Sequence, residues 1–260
     1  MPVATPYALP FGVLVPADGE LASGARFSLV VTMQQPSADA IEALSSVLTS
    51  WEVLASVGAM SGARIPASES SIANVSDPMT GADSMAWVLD GVRLDDRATV
   101  ILANLFLSEW EEHRFARVDL YRSDDPTSAN PLRYAEDERH PYPDRDQRIL
   151  FHVDLSSEVM EDVAIEITFA DVLTDEQVDS IRESLTTWAG VTACGAYAMA
   201  PLPPEKCGVV FDLDDIEVID ATLTWSLRKF TAHSGALDGL ANTVAAIDQT
   251  TVPVRELRVR

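Results

Sequence analysis

The sequence predicts an α+β protein made of two tandem copies of a β-β-α-β-β-β(-α) unit, each an antiparallel sheet with a helix packed on one face, related by pseudo-twofold symmetry. Three observations predict it. Leu48-Thr49-Ser50-Trp51 through Gly58-Ala59-Met60 to Pro66 is written again as Leu185-Thr186-Thr187-Trp188 through Gly195-Ala196-Tyr197 to Pro203, each pair 137 apart (185 − 48, 203 − 66). Such ungapped self-similarity is the mark of a repeated structural unit. The alternation Phe11, Val13, Val15 then Phe27, Leu29, Val31, Met33 returns as Phe151, Val153, Leu155 then Ile165, Ile167, Phe169, now 138 apart (153 − 15, 165 − 27). Finally, 47% hydrophobic residues in 260 supply enough apolar surface for a real core.

Taken in order, residues 1–10 hold three prolines and read as an arm without regular structure. The first repeat spans 11–121. Its two alternating strands form a hairpin-like start around Ala17-Asp18-Gly19-Glu20. Ser37 then caps a helix whose apolar stripe is Ile41, Leu44, Val47, Leu48, Trp51 and Leu54. Gly58 to Ile65 reads as a strand ending at Pro66, followed by a Ser- and Gly-rich loop from Ala67 to Ser84 and by strands at Val100 to Leu107 and Phe115 to Tyr121. Residues 122–148 carry four prolines and dense mixed charge, and read as an exposed linker or crossover.

The second repeat spans 149–260. Thr174-Asp175-Glu176-Gln177 is a capping-box pattern ahead of the stripe Val178, Ile181, Leu185 and Trp188. Gly195 to Leu202 reads as the matching strand, and Leu223 to Phe230 as another. Leu237, Leu240, Val244 and Ile247 mark a terminal helix, clear only in this copy, before a last strand at Val252 to Val259. Both tryptophans are expected to plug the core under the helix ends.

The net charge of −23 and pI of about 4.3 disfavour nucleic acid and anionic membranes as partners and favour a basic protein surface. Cytoplasmic residence is expected, because no basic-then-apolar leader and no run of eighteen apolar residues is present. An oligomer is compatible with the symmetry. Cys194 and Cys207 fit no metal or redox spacing and are expected to be buried thiols, with a disulfide as the alternative. No cofactor or metal motif is present: there is no phosphate loop, no H-E-x-x-H, and Asp212-Leu213-Asp214-Asp215 lacks the glycine and closing glutamate of a calcium loop.

The expected function is therefore a non-catalytic acidic binding or assembly protein, of inhibitor, immunity-protein or complex-subunit type. Its candidate binding residues are Asp90 and Asp212, read as equivalents 122 apart (212 − 90), with Asp214 and Asp215. The alternative is an enzyme with a small-molecule site in the cleft between the repeats. Its candidate acid–base residues are Glu109, His113 and Arg114, since Glu109 and His113 are four apart on a helical turn. His152 is expected to be a half-buried packing residue and His140 solvated.

Overall fold

The computed structural model describes residues 3–135, 138–155, 162–198 and 208–260. Counting strands of four residues or more, the first half runs β1 (Gly12–Val15), β2 (Ala25–Met33), α1 (Ala38–Ser56), β3 (Ser84–Val92), α2 (Ala98–His113) and β4 (Phe115–Arg122). The second half runs β5 (His152–Leu155), β6 (Asp162–Phe169), α3 (Asp175–Ala193), β7 (Thr222–Arg228), α4 (Gly235–Thr250) and β8 (Val254–Val259). The protein is mixed α+β. Both main sheets use the same order, β1-β4-β2-β3 in the first and β5-β8-β6-β7 in the second, with two- and three-residue strands at the margins.

Helix starts follow local chemistry. Ser37 has extended backbone, and its hydroxyl accepts from the Ala40 amide at 3.1 Å. Thr174 and Gln177 form the capping box, Gln177 N donating to Thr174 Oγ1 at 3.3 Å and Thr174 N donating to Gln177 Oε1 at 2.9 Å. Past α1 and α3, Gly58 and Gly195 turn left-handed at φ 82° and 84°. Gly58 also has to be small, because a Cβ there would lie 2.8 Å from Ala246 Cβ on α4.

Four expectations are corrected. The sheets are mixed rather than antiparallel, and the start is not a hairpin: β4 lies between β1 and β2, and β1 pairs with it in parallel, Gly12 opposite Arg117 and Leu14 opposite Asp119. β5 likewise pairs in parallel with β8. Alternation gives a strand its faces but not its neighbour, so this pairing is set by tertiary packing. Second, Val100 to Leu107 is not a strand; it lies inside α2, whose residues Ala98 to Phe106 are all buried. An apolar run broken only by Asn104 carries no period to separate strand from buried helix.

Third, Gly58 to Ile65 is a turn and loop, because its backbone is claimed by other segments. The Asp95 amide donates to Met60 O at 3.1 Å, and Arg148 Nη1 donates to Gly62 O at 3.4 Å. Residues 195–198 are likewise turn, and the remainder of that expected strand lies outside the described residues. Fourth, the arm and the linker are not featureless. Ala4–Thr5 pairs in parallel with Arg133–Tyr134, and the linker buries Tyr142 and Asp146.

One contiguous core takes residues from both sheets and all four helices. The inward rows of β2 (Phe27, Leu29, Val31, Met33) and of β7 (Leu223, Trp225, Leu227) are buried while their outward rows are not, so each sheet has its core on one face. α2 and α4 are buried almost all round, which marks them as the central helices. Trp51 and Trp188 are fully buried as expected, and each indole N–H donates at 3.0 Å to the carbonyl opening the next helix, Ala98 O and Ala236 O. Among the described residues, no helix is long and apolar enough to cross a membrane.

Candidate functional site

The junction between the halves is built from two buried asparagines. Asn104 on α2 donates through Nδ2 to Ala196 O at 2.9 Å in the turn after α3, and to Tyr142 Oη at 2.8 Å. Asn242 on α4 donates to Ser61 O at 3.4 Å in the turn after α1, and to Asp144 O at 3.2 Å. Its Oδ1 accepts from the Asp146 amide at 2.7 Å. Each half thus reaches into the other's post-helix turn, and both asparagines hold the 142–146 segment. Asp146 completes the lock: its Oδ2 accepts from the Ala67 amide at 3.0 Å and its Oδ1 from Arg148 Nη1 at 2.8 Å. Tyr142 packs against Tyr197 and His233, with ring centroids 5.2 and 5.0 Å away.

Titratable groups gather beside this junction. Burial, then the nearby His140, pushes the His233 imidazole below its ordinary value, and His233 Nδ1 accepts from the Gly235 amide at 2.9 Å. Burial raises the Asp238 carboxyl, with Arg145 Nε at 3.3 Å acting against it. Burial also raises Asp95 and Asp96 near the start of α2, opposed by hydrogen bonds from the Arg97 and Gly19 amides respectively. Among the described residues no group of three or more His, Cys, Asp or Glu side chains could hold a metal ion.

The sign for His233 follows from linkage. Between its depressed folded value and the ordinary 6.5, the unfolded chain binds more protons than the folded one, so stability falls as pH drops through that window. The raised carboxyls act with opposite sign, stability falling as pH rises from 3.8 towards their folded values. His233→Asn, whose amide oxygen replaces the Nδ1 acceptor, is expected to flatten the stability loss between about pH 7 and about pH 5. Urea melts of both proteins across that range check it; parallel curves would contradict it.

The candidate acid–base residues sit at the end of α2. His113 Nε2 lies 3.8 Å from Glu109 Oε2, with the imidazole only 9% exposed. Arg114 is the left-handed cap of the helix, and its guanidinium lies 4.1 Å over the Trp110 ring. His113 and Arg114 border an open depression with Met33, Gln34 and Asp83. Cys194 is an exposed free thiol rather than a buried one, raised by its partial burial and then by the Glu109 charge, the reverse of what a nucleophile needs. Cys207 lies outside the described residues. His152 is also more exposed than expected and contacts Glu256 Oε1 at 2.9 Å, on the outward face of the second sheet. His140 is exposed, as expected.

The candidate binding residues fall on different sheets. Asp90 lies on β3 and is held by Arg26 Nε at 2.5 Å. Asp212 precedes a single 3-10 turn, Leu213–Asp215, on the outer edge of the second sheet, where its Oδ1 accepts from the Asp214 amide at 3.1 Å. They are not structural equivalents, because β3 corresponds in sheet order to β7, which places Trp87 with Trp225 rather than Asp90 with Asp212. The 122-residue offset arose from reading α2 as a strand.

Asp212, Asp214 and Asp215 are all exposed, and they share their edge with apolar side chains that sequence reasoning missed. Val210 (48% exposed), Leu213 (56%) and Ile219 (69%) stand out along the same edge, Leu213 on the 3-10 turn and the other two on the strands Val210–Phe211 and Glu217–Ile219, which pair with one side of β7. Exposed Glu217 and Asp220 extend the acidic run. Val210 stands opposite Arg228 and Ile219 opposite Thr222, so the two mark the two ends of β7, with the Leu213–Asp215 turn between them in the chain.

No protein-family profile matches this chain, and no curated protein matches it. Among solved structures it is similar to a ferredoxin protease, FusC, determined as a point mutant in complex with Arabidopsis ferredoxin. The identity is 11%, the match covers 90% of this chain and 38% of that one, and the TM-score of 0.16 gives the likeness no weight for fold or function.

Proposed function

We propose that this chain is a duplicated, non-catalytic binding or assembly protein that recognises a basic partner surface, as an inhibitor, immunity-type protein or complex subunit does. The observation that carries the reading is the outer edge from Val210 to Asp220, where three exposed apolar side chains stand among Asp212, Asp214, Asp215, Glu217 and Asp220. Apolar anchors along an edge where carboxylates outnumber the one arginine, Arg228, give both affinity and a preferred sign of partner. The charge of −23 extends that preference to the encounter, and it makes nucleic acid and anionic membrane poor partners.

The frame for this surface is a fused pseudo-dimer, with repeats at 11–121 and 149–260 joined by the 122–148 crossover. The common sheet order supports it, as do landmarks 137 or 138 residues apart: Trp51 and Trp188, Gly58 and Gly195, Trp87 and Trp225, Asn104 and Asn242. The reciprocal asparagine contacts support the pseudo-twofold relation, because each half offers the other the same donor for the same turn. The acidic edge then belongs to one repeat only, where divergence from its counterpart allowed a contact surface to form.

The test is capture from native lysate by the tagged full chain. A stoichiometric partner with a basic surface is expected, released as salt is raised towards about 1 M, where screening length falls to about 3 Å. Asp212→Asn, Asp214→Asn and Asp215→Asn together with Ile219→Ser should abolish capture while leaving the melting temperature unchanged. An equal yield from that variant, or a chain that binds nothing at low salt, would sink the reading.

A further inference from the structure

The two main sheets have four side edges, and short strands line three of them. Asn130–Pro131 runs along the outer side of β1, Asn74–Val75 and Met79–Thr80 along β3, and Val210–Phe211 with Glu217–Ile219 along β7. The fourth, the outer side of β5, pairs with no strand among the described residues. Yet β5 holds in the second sheet the place that β1 holds in the first, each lying parallel to the last strand of its half. On β1 the covering strand is antiparallel: Leu14 lies opposite Pro131 and Val15 opposite Asn130, and the Leu132 amide donates to Val13 O at 2.9 Å. Val13 and Val15 therefore turn their backbone groups to the outer side, and the position opposite Leu14, where no N–H is needed, admits a proline. Their counterparts 138 later (151 − 13, 153 − 15) are Phe151 and Val153. Leu150, just ahead of them, is 93% exposed.

We infer that the outer side of β5 pairs antiparallel with β5 of a second copy of the chain, joining the two second sheets edge to edge across a twofold axis at Val153. Charge selects both the occupant and the register. Hydrogen bonding requires residues 151, 153 and 155 of the two copies to face one another, and three such twofold registers overlap most of the strand. An axis at His152 sets two imidazoles together, and an axis at Asp154 sets two carboxylates together. An axis at Val153 instead puts each His152 opposite Asp154 of the other copy, with Phe151 opposite Leu155 on the core side. Both polar side chains are placed for it. Arg258, opposite Asp154 on β8, pairs with Glu166 at 3.3 Å and with Glu256 at 2.8 Å, and Asp154 has no ion pair among the described residues. His152, with its side chain 68% exposed, meets Glu256 through Nδ1 and presents Nε2 outward. A uniformly basic segment gains less here, since it would set a cation against His152 as well as against Asp154, whereas a second copy matches both.

The three facing pairs supply about six backbone hydrogen bonds and little apolar area, the profile of a reversible contact. Sedimentation equilibrium of the full chain at about pH 6 in about 0.15 M salt, taken up to about 0.5 mM, is expected to move from 28.2 kDa towards twice that mass. His152→Asp sets aspartate against aspartate across the axis and Asp154→His sets histidine against histidine, so each variant alone should self-associate about tenfold more weakly at an unchanged melting temperature. An equimolar mixture of the two should recover the dimer, because each chain then meets the opposite charge. His152→Glu and Asp154→Lys serve if either variant does not fold. A wild-type mass of 28.2 kDa over the whole range overturns the inference and leaves the edge to a strand of a different protein. Association that either single change leaves intact, or a mixture with no more dimer than its parts, overturns it as well.

Discussion

Asn242→Leu is expected to remove about 3–5 kcal/mol of stability, a large share of the about 5–15 kcal/mol that holds a typical domain. The leucine fills similar space, so the loss is one of hydrogen bonding. Asn242 is fully buried and bonds three backbone groups, the Asp146 amide, Ser61 O and Asp144 O, of which the first two belong to buried residues. Each buried group left unpaired costs about 1–3 kcal/mol. The damage should also spread, since Asp146 anchors Ala67 and Arg148 and so ties the crossover to the loop after α1. Asn104→Leu should cost less, because its Oδ1 accepts nothing and only the two donor contacts are lost. Urea unfolding checks both, read as a shift in midpoint at unchanged slope. A loss below about 1 kcal/mol for Asn242→Leu would mean that the halves are held by apolar packing alone.

Trp51→Ala and Trp188→Ala are each expected to cost about 3–5 kcal/mol, in line with other large-to-small changes in a closed core. Each indole is fully buried and also donates to the carbonyl that opens the neighbouring central helix. The shape of the transition is as informative as its position. The core is one contiguous cluster, so a cavity made in the first half should lower a single transition of the whole chain, and so should one made in the second. Calorimetry resolving two transitions, with Trp51→Ala moving only one, would instead describe two independently stable domains.

How much of this was legible depended on where the information resides. α1 and α3 were readable because both carry an apolar stripe at helical spacing behind a side-chain cap, and both are local. α2 was not, because Val100 to Phe106 is apolar at every position except Asn104 and so shows no polar face. The parallel placement of β1 and β5 has no local signature; it appears only when β4 and β8 slot between strands adjacent in sequence. The Gly58 to Ile65 segment reads as a strand from its place between the helix and Pro66, but the Asp95 amide and Arg148 take its carbonyls, and no neighbouring residue announces that.

The site was legible in the same partial way. Carboxylates at Asp212, Asp214 and Asp215 were visible as a run, yet the exposure of Val210, Leu213 and Ile219 beside them depends on the short strands flanking β7. The paired asparagines were not legible: Asn104 lies in the run that reads as the strand Val100 to Leu107, and only the burial of α2 and α4 shows that each amide needs partners at the junction.

The most direct test of the account is amide chemical-shift mapping of the full chain titrated with a synthetic peptide that alternates lysine and leucine. The expected perturbations are confined to the outer edge, from Val210 to Asp220 and the facing strand β7, and they vanish in about 1 M salt and when Asp212, Asp214 and Asp215 are replaced by asparagine. Shifts spread over the acidic surface at large, or undiminished by those three substitutions, would contradict it.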